Sequence, residues 1–207
     1  MKRVSLKPRK MPTQGRSRQM FEDIIEAGSR VLCKFPPGRF NTILVAEEAG
    51  ISVGSLYQYF PDKASLLFAI QQREWAATRA ELKGILHGGS RPAIERLESM
   101  MLYFFETEWS ERDLRESLKV ACAEYKDAPE FKKLRSTAVS DFHEFMSSVF
   151  PLSEEQVSFW APFLLLSMSS QAEGTTSGIR TKESLRHWAR HSVTMLLGYF
   201  RMNTGIG

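Results

Sequence analysis

Apolar side chains recur every three to four residues along most of this chain, the period of helices that bury one face. From Ser17 onward, Met20, Phe21, Ile24, Ile25, Ala27, Val31 and Leu32 share a helical face, and KFPPGRFN (Lys34 to Asn41) ends that helix with two prolines and a glycine. Asn41 or Thr42 caps a short second helix running to about Ala49, and Gly50 supplies its stop. Ser52 caps a third helix that ends at Phe60. Two short helices joined by a three-residue turn make a helix-turn-helix. Asp62 opens a long fourth helix carrying Leu66, Leu67, Ile70, Trp75 and Leu82, which dissolves at HGGSRP (His87 to Pro92). Further helices are predicted at about 92–109, 112–126, 129–150, 154–173 and 182–202. No sustained alternation of β-branched residues marks a strand and no internal repeat is evident, so the predicted fold class is all-α.

The last two helices are apolar around more of their circumference than one core can bury. In the first, Val157, Trp160, Ala161, Leu164, Leu165 and Met168 form a stripe that Phe159, Phe163 and Leu166 widen; Pro162 kinks this helix or marks a later start to it. The final helix shows Leu185, Trp188, Ala189, Ser192, Met195, Leu196, Tyr199 and Phe200. Pairing both helices across a two-fold axis closes a four-helix bundle, so a homodimer is expected, with Trp160, Leu164, Leu165, Met168, Trp188, Met195, Leu196 and Tyr199 at its interface.

Composition adds one asymmetry. The net charge of +4 conceals a first stretch, residues 1–20, with seven basic residues (Lys2, Arg3, Lys7, Arg9, Lys10, Arg16, Arg18) and no acid, leaving 21 basic against 24 acidic residues in the remainder. A basic arm of that kind can reach an anionic polymer. No apolar run is long enough to span a membrane and the N-terminus lacks a signal-peptide core, which points to a cytoplasmic protein with no membrane partner. Cys33 and Cys122 are far apart, form no CxxC, and read as small core residues.

The stretch AEEAGISVGSLYQYFPDK, Ala46 to Lys63, holds the most specific chemistry. Leu56 and Phe60 are four apart and lock inward, which leaves Val53, Ser55, Gln58 and Tyr59 toward other faces. A major groove about 12 Å wide admits one helix if its side chains allow close approach. Gly54 removes bulk there, Ser55 can donate or accept, Gln58 suits an adenine edge, and Val53 suits a thymine methyl. Tyr57, Tyr59 and Lys63 offer phenols and an ammonium at the rim, where phosphate oxygens lie.

SVGSLYQYFP followed by Lys63 resembles the DNA-binding domain of the tetracycline-repressor (TetR) family over about residues 16–70. The resemblance implies a helix-turn-helix repressor that binds a palindromic duplex operator as a homodimer and is released by a small ligand held in a helical C-terminal domain. By position it implies contacts from Val53, Gly54, Ser55, Gln58 and Tyr59 on bases and from Thr42, Tyr57 and Lys63 on the phosphate backbone, with Arg16 and Arg18 beside helix one. The implied organisation is a basic flexible arm at 1–15, a DNA-binding domain at 16–70, and an effector-binding and dimerisation domain at 71–207.

Residues 92–168 are rich in aromatics and methionine, a composition equally suited to a packed core and to an apolar cavity. Phe104, Phe105, Trp109, Tyr125, Phe142, His143 and Phe163 are the candidate ligand residues. No nucleophile-and-base constellation points to an enzyme, and no cofactor is implied. Glu183, His187 and His191 share a helix at metal-ligand spacing but flank an apolar stripe, which favours an interface edge over a metal site. The alternative function is a helical DNA-binding protein controlled by a protein partner in place of a small ligand.

Overall fold

The computed structural model describes Leu6, Pro8, Arg9, residues 15–176 and residues 178–206. All its regular elements are helical: α1 (Gly15–Lys34), α2 (Thr42–Glu48), α3 (Val53–Tyr59), α4 (Lys63–His87), α5 (Ala93–Ser110), α6 (Arg112–Ala121), α7 (Pro129–Val149), α8 (Glu154–Thr176) and α9 (Lys182–Thr204), with short 3-10 turns at Pro37–Arg39 and Ala123–Tyr125.

The ends of these helices follow from side chains that take up orphan amides. Asn41 caps α2, its Oδ1 accepting from the amides of Ile43 and Leu44 at 3.0 Å each, so Thr42 is the first helical residue. Ser52 caps α3 by accepting from the Ser55 amide at 3.1 Å. Before α4, the Asp62 carboxylate accepts from the Ser65 amide at 2.8 Å while the Ser65 hydroxyl accepts from the Asp62 amide at 3.3 Å, a reciprocal cap. Gly50, at φ +67°, adopts the left-handed conformation just beyond α2 that ends a helix and turns the chain toward α3.

The chain forms two compact units. One comprises the sequence through Ala76 together with Asp113–Leu134; the other comprises Ala77–Arg112 and Arg135–Gly207. The first is built on Ile24, Val31 and Leu32 of α1, Val45 of α2, Leu56 and Phe60, and Leu66, Leu67 and Ile70 of α4, joined by Leu118 and Phe131. Gly28 lets α1 and α4 approach closely, since a Cβ there would lie 2.6 Å from the buried Ile70 Cδ1. On the outside, Glu48 of α2 accepts from Lys34 at 2.7 Å and from Arg30 at 2.8 Å of α1, and these two cations hold its carboxyl below the usual carboxylate range. The second core joins α5, α7, α8 and α9 through Leu97, Met100, Phe105, Phe145, Trp160, Leu164, Leu197 and Phe200.

Three expectations change here. Cys33 is exposed, because it follows Leu32 onto the outer face of α1, while Cys122 is buried as expected. Of the two readings of Pro162, a later helix start falls away, since α8 runs through it without interruption. That proline is exposed, as is Ser158 four residues earlier, so the carbonyl it leaves without a helical partner lies on the side that water reaches. Finally, the arm is not free along its whole length: Leu6 is 1% exposed and belongs to the first core, and the Arg9 amide donates to the Tyr59 carbonyl at 2.8 Å. Lys2, Arg3, Lys7 and Lys10 of that arm lie outside the described residues.

Gly50→Ala places a Cβ in the left-handed region and is expected to cost about 1 kcal/mol. The readout is a Tm lowered by roughly 2–4 °C in a chain of this size. Gly84→Ala is the contrast: Gly84 lies inside α4 with nothing within 4 Å of an added Cβ, and the change should raise stability by about 0.5–1 kcal/mol. Equal destabilisation by both would contradict the conformational role of Gly50.

Candidate nucleic-acid interface

Leu56 and Phe60 are fully buried, and this fixes which side of α3 faces out. The exposed positions are Gly54, Tyr57 and Gln58, spaced three and four apart and therefore on one strip. No packing among the described residues requires a glycine at 54: a Cβ there would find only Ser52 Oγ, at 3.8 Å. Ser55 is half-buried and its hydroxyl is 2.8 Å from that of Ser52, a pairing that leaves oxygen lone pairs for an outside donor.

The rim residues divide into presenters and supports. Tyr57 is 40% exposed and its phenol is 3.1 Å from the Thr42 hydroxyl. Thr42 itself is buried, and its hydroxyl aims Tyr57, which presents the pair to the outside. Tyr59 is turned partly inward. It is half-buried, its ring meets Phe21 edge-on at 6.2 Å, and its phenol lies 3.2 Å from the Ser17 hydroxyl of α1. The reason is rotation: Tyr59 lies three residues from Leu56 and turns toward the same core. Val53 also packs partly against that core, which leaves only its flank outward.

Lys63, the first residue of α4, lies with Nζ 5.8 Å from the centroid of the Phe40 ring, a cation–π contact that orients an ammonium with no carboxylate partner among the described residues. Arg16 and Arg18 are exposed in the first turn of α1. The strip on α3 and these cations are what an anionic duplex needs: a slim reading edge and charges that hold the backbone.

The candidate ligand residues do not converge. Tyr125 packs on the first core, and burial together with Glu124 pushes its phenol up to about 12. His143 turns outward, with Nε2 3.3 Å from Glu154 Oε1. Trp109 donates from its indole to the Ile179 carbonyl at 3.4 Å under the Arg112 guanidinium, and Phe163 joins an aromatic group with Phe159, Trp160 and Tyr199. Phe104 is half-buried and Phe105 fully buried in the second core. Only Phe142 reaches the place where Met100, Met101, Leu164, Leu165 and Met168 meet, and those six side chains leave no space for a water molecule between them. Met100 and Met101 belong to the methionine-rich composition read as suited to a cavity but were not among the candidate ligand residues, and Leu164, Leu165 and Met168 were expected at the dimer face.

The expected dimer residues split in two. Trp160, Leu164, Met168 and Leu196 are buried within the unit that carries them, and Leu165 is half-buried. Trp188, Met195 and Tyr199 are 53%, 58% and 47% exposed. Phe159 and Leu166 of α8 and Met202 of α9 are also exposed. Helix α8 therefore bears two stripes, and the residues read as widening the first one form the second.

Among the described residues no three His, Cys, Asp or Glu side chains converge as metal ligands, and the rings of His187 and His191 lie 4.3 Å apart, tilted by 43°. Burial pushes the Cys122 thiol up to about 12, and partial desolvation with the nearby carboxylates of Asp113 and Glu74 raises that of the exposed Cys33, so neither offers a ready thiolate. No helix among the described residues is long and apolar enough to cross a membrane.

Residues 24–70, from the middle of α1 into α4, match the model of the bacterial regulatory proteins of the tetR family. No curated protein sequence matches the chain. Among solved structures it is similar to the fatty acid degradation regulator FadR of Bacillus halodurans, at 14% identity over 91% of this chain and 96% of that one with TM-score 0.70. A regulator from Mesorhizobium loti assigned to the TetR family aligns at 17% identity over 90% and 98%, with TM-score 0.69. FadR of Bacillus subtilis, solved in complex with stearoyl-CoA, aligns at 13% identity over 85% and 97%, with TM-score 0.67. At such identities the likeness is one of fold.

Proposed function

We propose, from the match of residues 24–70 to the tetR family of bacterial regulatory proteins, that this chain is a member of that family and a ligand-responsive transcriptional repressor acting in the cytoplasm. It reads a palindromic duplex operator as a homodimer and leaves it when a small apolar molecule enters the second unit. The observation that carries the DNA-reading role is the strip of Gly54, Tyr57 and Gln58, exposed on a helix whose other side is locked by Leu56 and Phe60. Within the reading, Gln58 and Ser55 meet base edges, Gly54 permits the approach, and Tyr57, Lys63, Arg16 and Arg18 hold phosphates.

The dimer part is supported by Phe159, Leu166, Trp188, Met195, Tyr199 and Met202, large apolar side chains left exposed on helices that pack together. A second copy supplies an identical stripe, and an isologous contact satisfies both at once. Two reading helices then meet successive major grooves about 34 to 36 Å apart, or farther when ligand is bound.

The effector part is supported by the methionine-rich junction of α5, α7 and α8, and by the stearoyl-CoA held by the Bacillus subtilis regulator of the same fold. Since the junction is closed to water, a ligand enters only by repacking Met100, Met101 and Met168, and that repacking is what carries its signal. The rival reading, control by a protein partner, draws on the same closure.

Three outcomes test this. Gly54→Ala should keep or raise the Tm, as a helical Gly→Ala change does by about 0.5–1 kcal/mol, yet weaken operator binding by about tenfold or more. Gln58→Ala should relax discrimination at one or two operator positions by about 1–3 kcal/mol, measured by competition with single-base variants. Equal losses on operator and random duplex would overturn base reading. A Met195→Glu, Tyr199→Glu variant should give a folded monomer by light scattering and circular dichroism, where the wild type gives a dimer; a folded wild-type monomer at micromolar concentration would refute the dimer.

A further inference from the structure

Leu6 and Arg9 bracket a short piece of chain that is tied to the reading head at two points. The Leu6 side chain is 1% exposed, as deeply buried as most of the α1 and α4 residues it joins in the first core. Three residues later the Arg9 amide donates to the Tyr59 carbonyl at 2.8 Å. Tyr59 is the last residue of α3, so that carbonyl is one of those a helix leaves without an internal partner. Pro8, between the two ties, has a fixed φ and no amide of its own, which reduces the freedom of the link. A tail that only trails in solvent would bury no leucine and close no helix end.

The two ties hold a charge in a particular place. The Arg9 side chain is exposed and its guanidinium meets no carboxylate among the described residues. A helix rises 1.5 Å per residue, so the Tyr59 end of α3 lies about 7.5 Å beyond Gly54. That is more than half of a major groove about 12 Å wide. With Gly54 over the base edges, the end of α3 reaches the edge of the groove, and a guanidinium attached there meets the phosphates that bound it.

Resting on the DNA reading proposed above, we infer that Leu6 and Arg9 act as a docked clamp: Leu6 is a positioning residue that plugs the first core, and Arg9 contacts backbone phosphate on the DNA flank outside the bases read by α3. The contact is with phosphate oxygens and therefore independent of flank sequence. The clamp also ties Arg9 directly to the recognition helix, because its amide bonds the Tyr59 carbonyl of α3 itself.

The test begins with the wild-type chain selecting a duplex from a random-sequence pool. Fluorescence anisotropy over a series of KCl concentrations then compares two versions of the selected duplex, one trimmed to the inverted repeat and one extended at each end by half a helical turn, about five base pairs. On the extended duplex, Arg9→Gln is expected to weaken binding roughly three- to tenfold and to flatten the log–log salt slope by about 0.9 for each phosphate that is no longer neutralised. On the trimmed duplex it should match the wild type. Leu6→Ser should reproduce the Arg9→Gln loss, and Leu6→Met, which refills the plug, should restore the wild-type slope. Where Leu6→Ser fails to fold by circular dichroism, Arg9→Gln decides alone. Arg9→Gln binding like the wild type at every salt concentration, or losing equally on both duplexes, would overturn the clamp. Full affinity in a folded Leu6→Ser variant would overturn the positioning role. A wild type that selects no duplex would instead remove the DNA reading, and the clamp with it, before any variant is compared.

Discussion

Everything proposed for the first unit depends on two side chains four residues apart. Leu56 and Phe60 sit on one face of α3, both fully withdrawn from solvent, and Phe60 stacks on Phe21 of α1 at 4.9 Å. A seven-residue helix is too short to be stable on its own, so its existence and its orientation are both tertiary effects. Once those two residues are fixed, the 100° step of the helix decides the rest: Gly54, Tyr57 and Gln58 have to face outward, and Tyr59 has to lie partly against the core. Gly50 and the Ser52 cap set where this helix starts; the buried pair sets what it shows.

The polar groups around α3 divide accordingly. Some are used to build the head: the Ser52 hydroxyl accepts from the Ser55 amide, the Tyr59 phenol meets Ser17, and Asp62 closes the start of α4. Asp62 also brings a carboxylate to a helix end that would otherwise present partial positive charge, so less of the attraction for phosphate comes from the α4 terminus than its position suggests. Others are left unspent, chiefly the Gln58 amide and the cations of Lys63, Arg16 and Arg18. A phenol can do both: Tyr57 is aimed by Thr42 and still faces out.

Periodicity, caps and breakers made the helices legible, because each of these is a local property: KFPPGRFN, Gly50, Ser52 and Asp62 punctuate the chain wherever the core lies. The helix-turn-helix was legible for the same reason, with its motif packed into eighteen consecutive residues. What sequence could not decide was the face. On α8, Trp160, Leu164 and Met168 differ from Phe159 and Leu166 only in rotation about the axis, and both sets are apolar; the neighbours that bury one set come from α5 and α9, far away in sequence. Leu6 was equally opaque, a single leucine among basic residues with no period to place it. The candidate ligand set failed on long-range grounds too, since aromatic content cannot say which rings share a junction.

The second unit carries a tension that its composition explains. Its core is closed at the junction of Met100, Met101, Phe142, Leu164, Leu165 and Met168, yet α8 and α9 keep large apolar side chains outside. A well-packed interior resists small deformations and changes by discrete repacking. Methionine lowers the barrier to such repacking because its unbranched chain has several rotamers of similar energy. Helix α8 contributes Leu164, Leu165 and Met168 to the junction from one side and Phe159 and Leu166 to the exposed stripe from the other, so a rotation or shift that opens the first necessarily displaces the second. A molecule entering the junction therefore has only to bind the repacked arrangement better than the closed one for the geometry of the apolar face to change. The proposed coupling needs no chain of intermediates, since one continuous helix carries both faces.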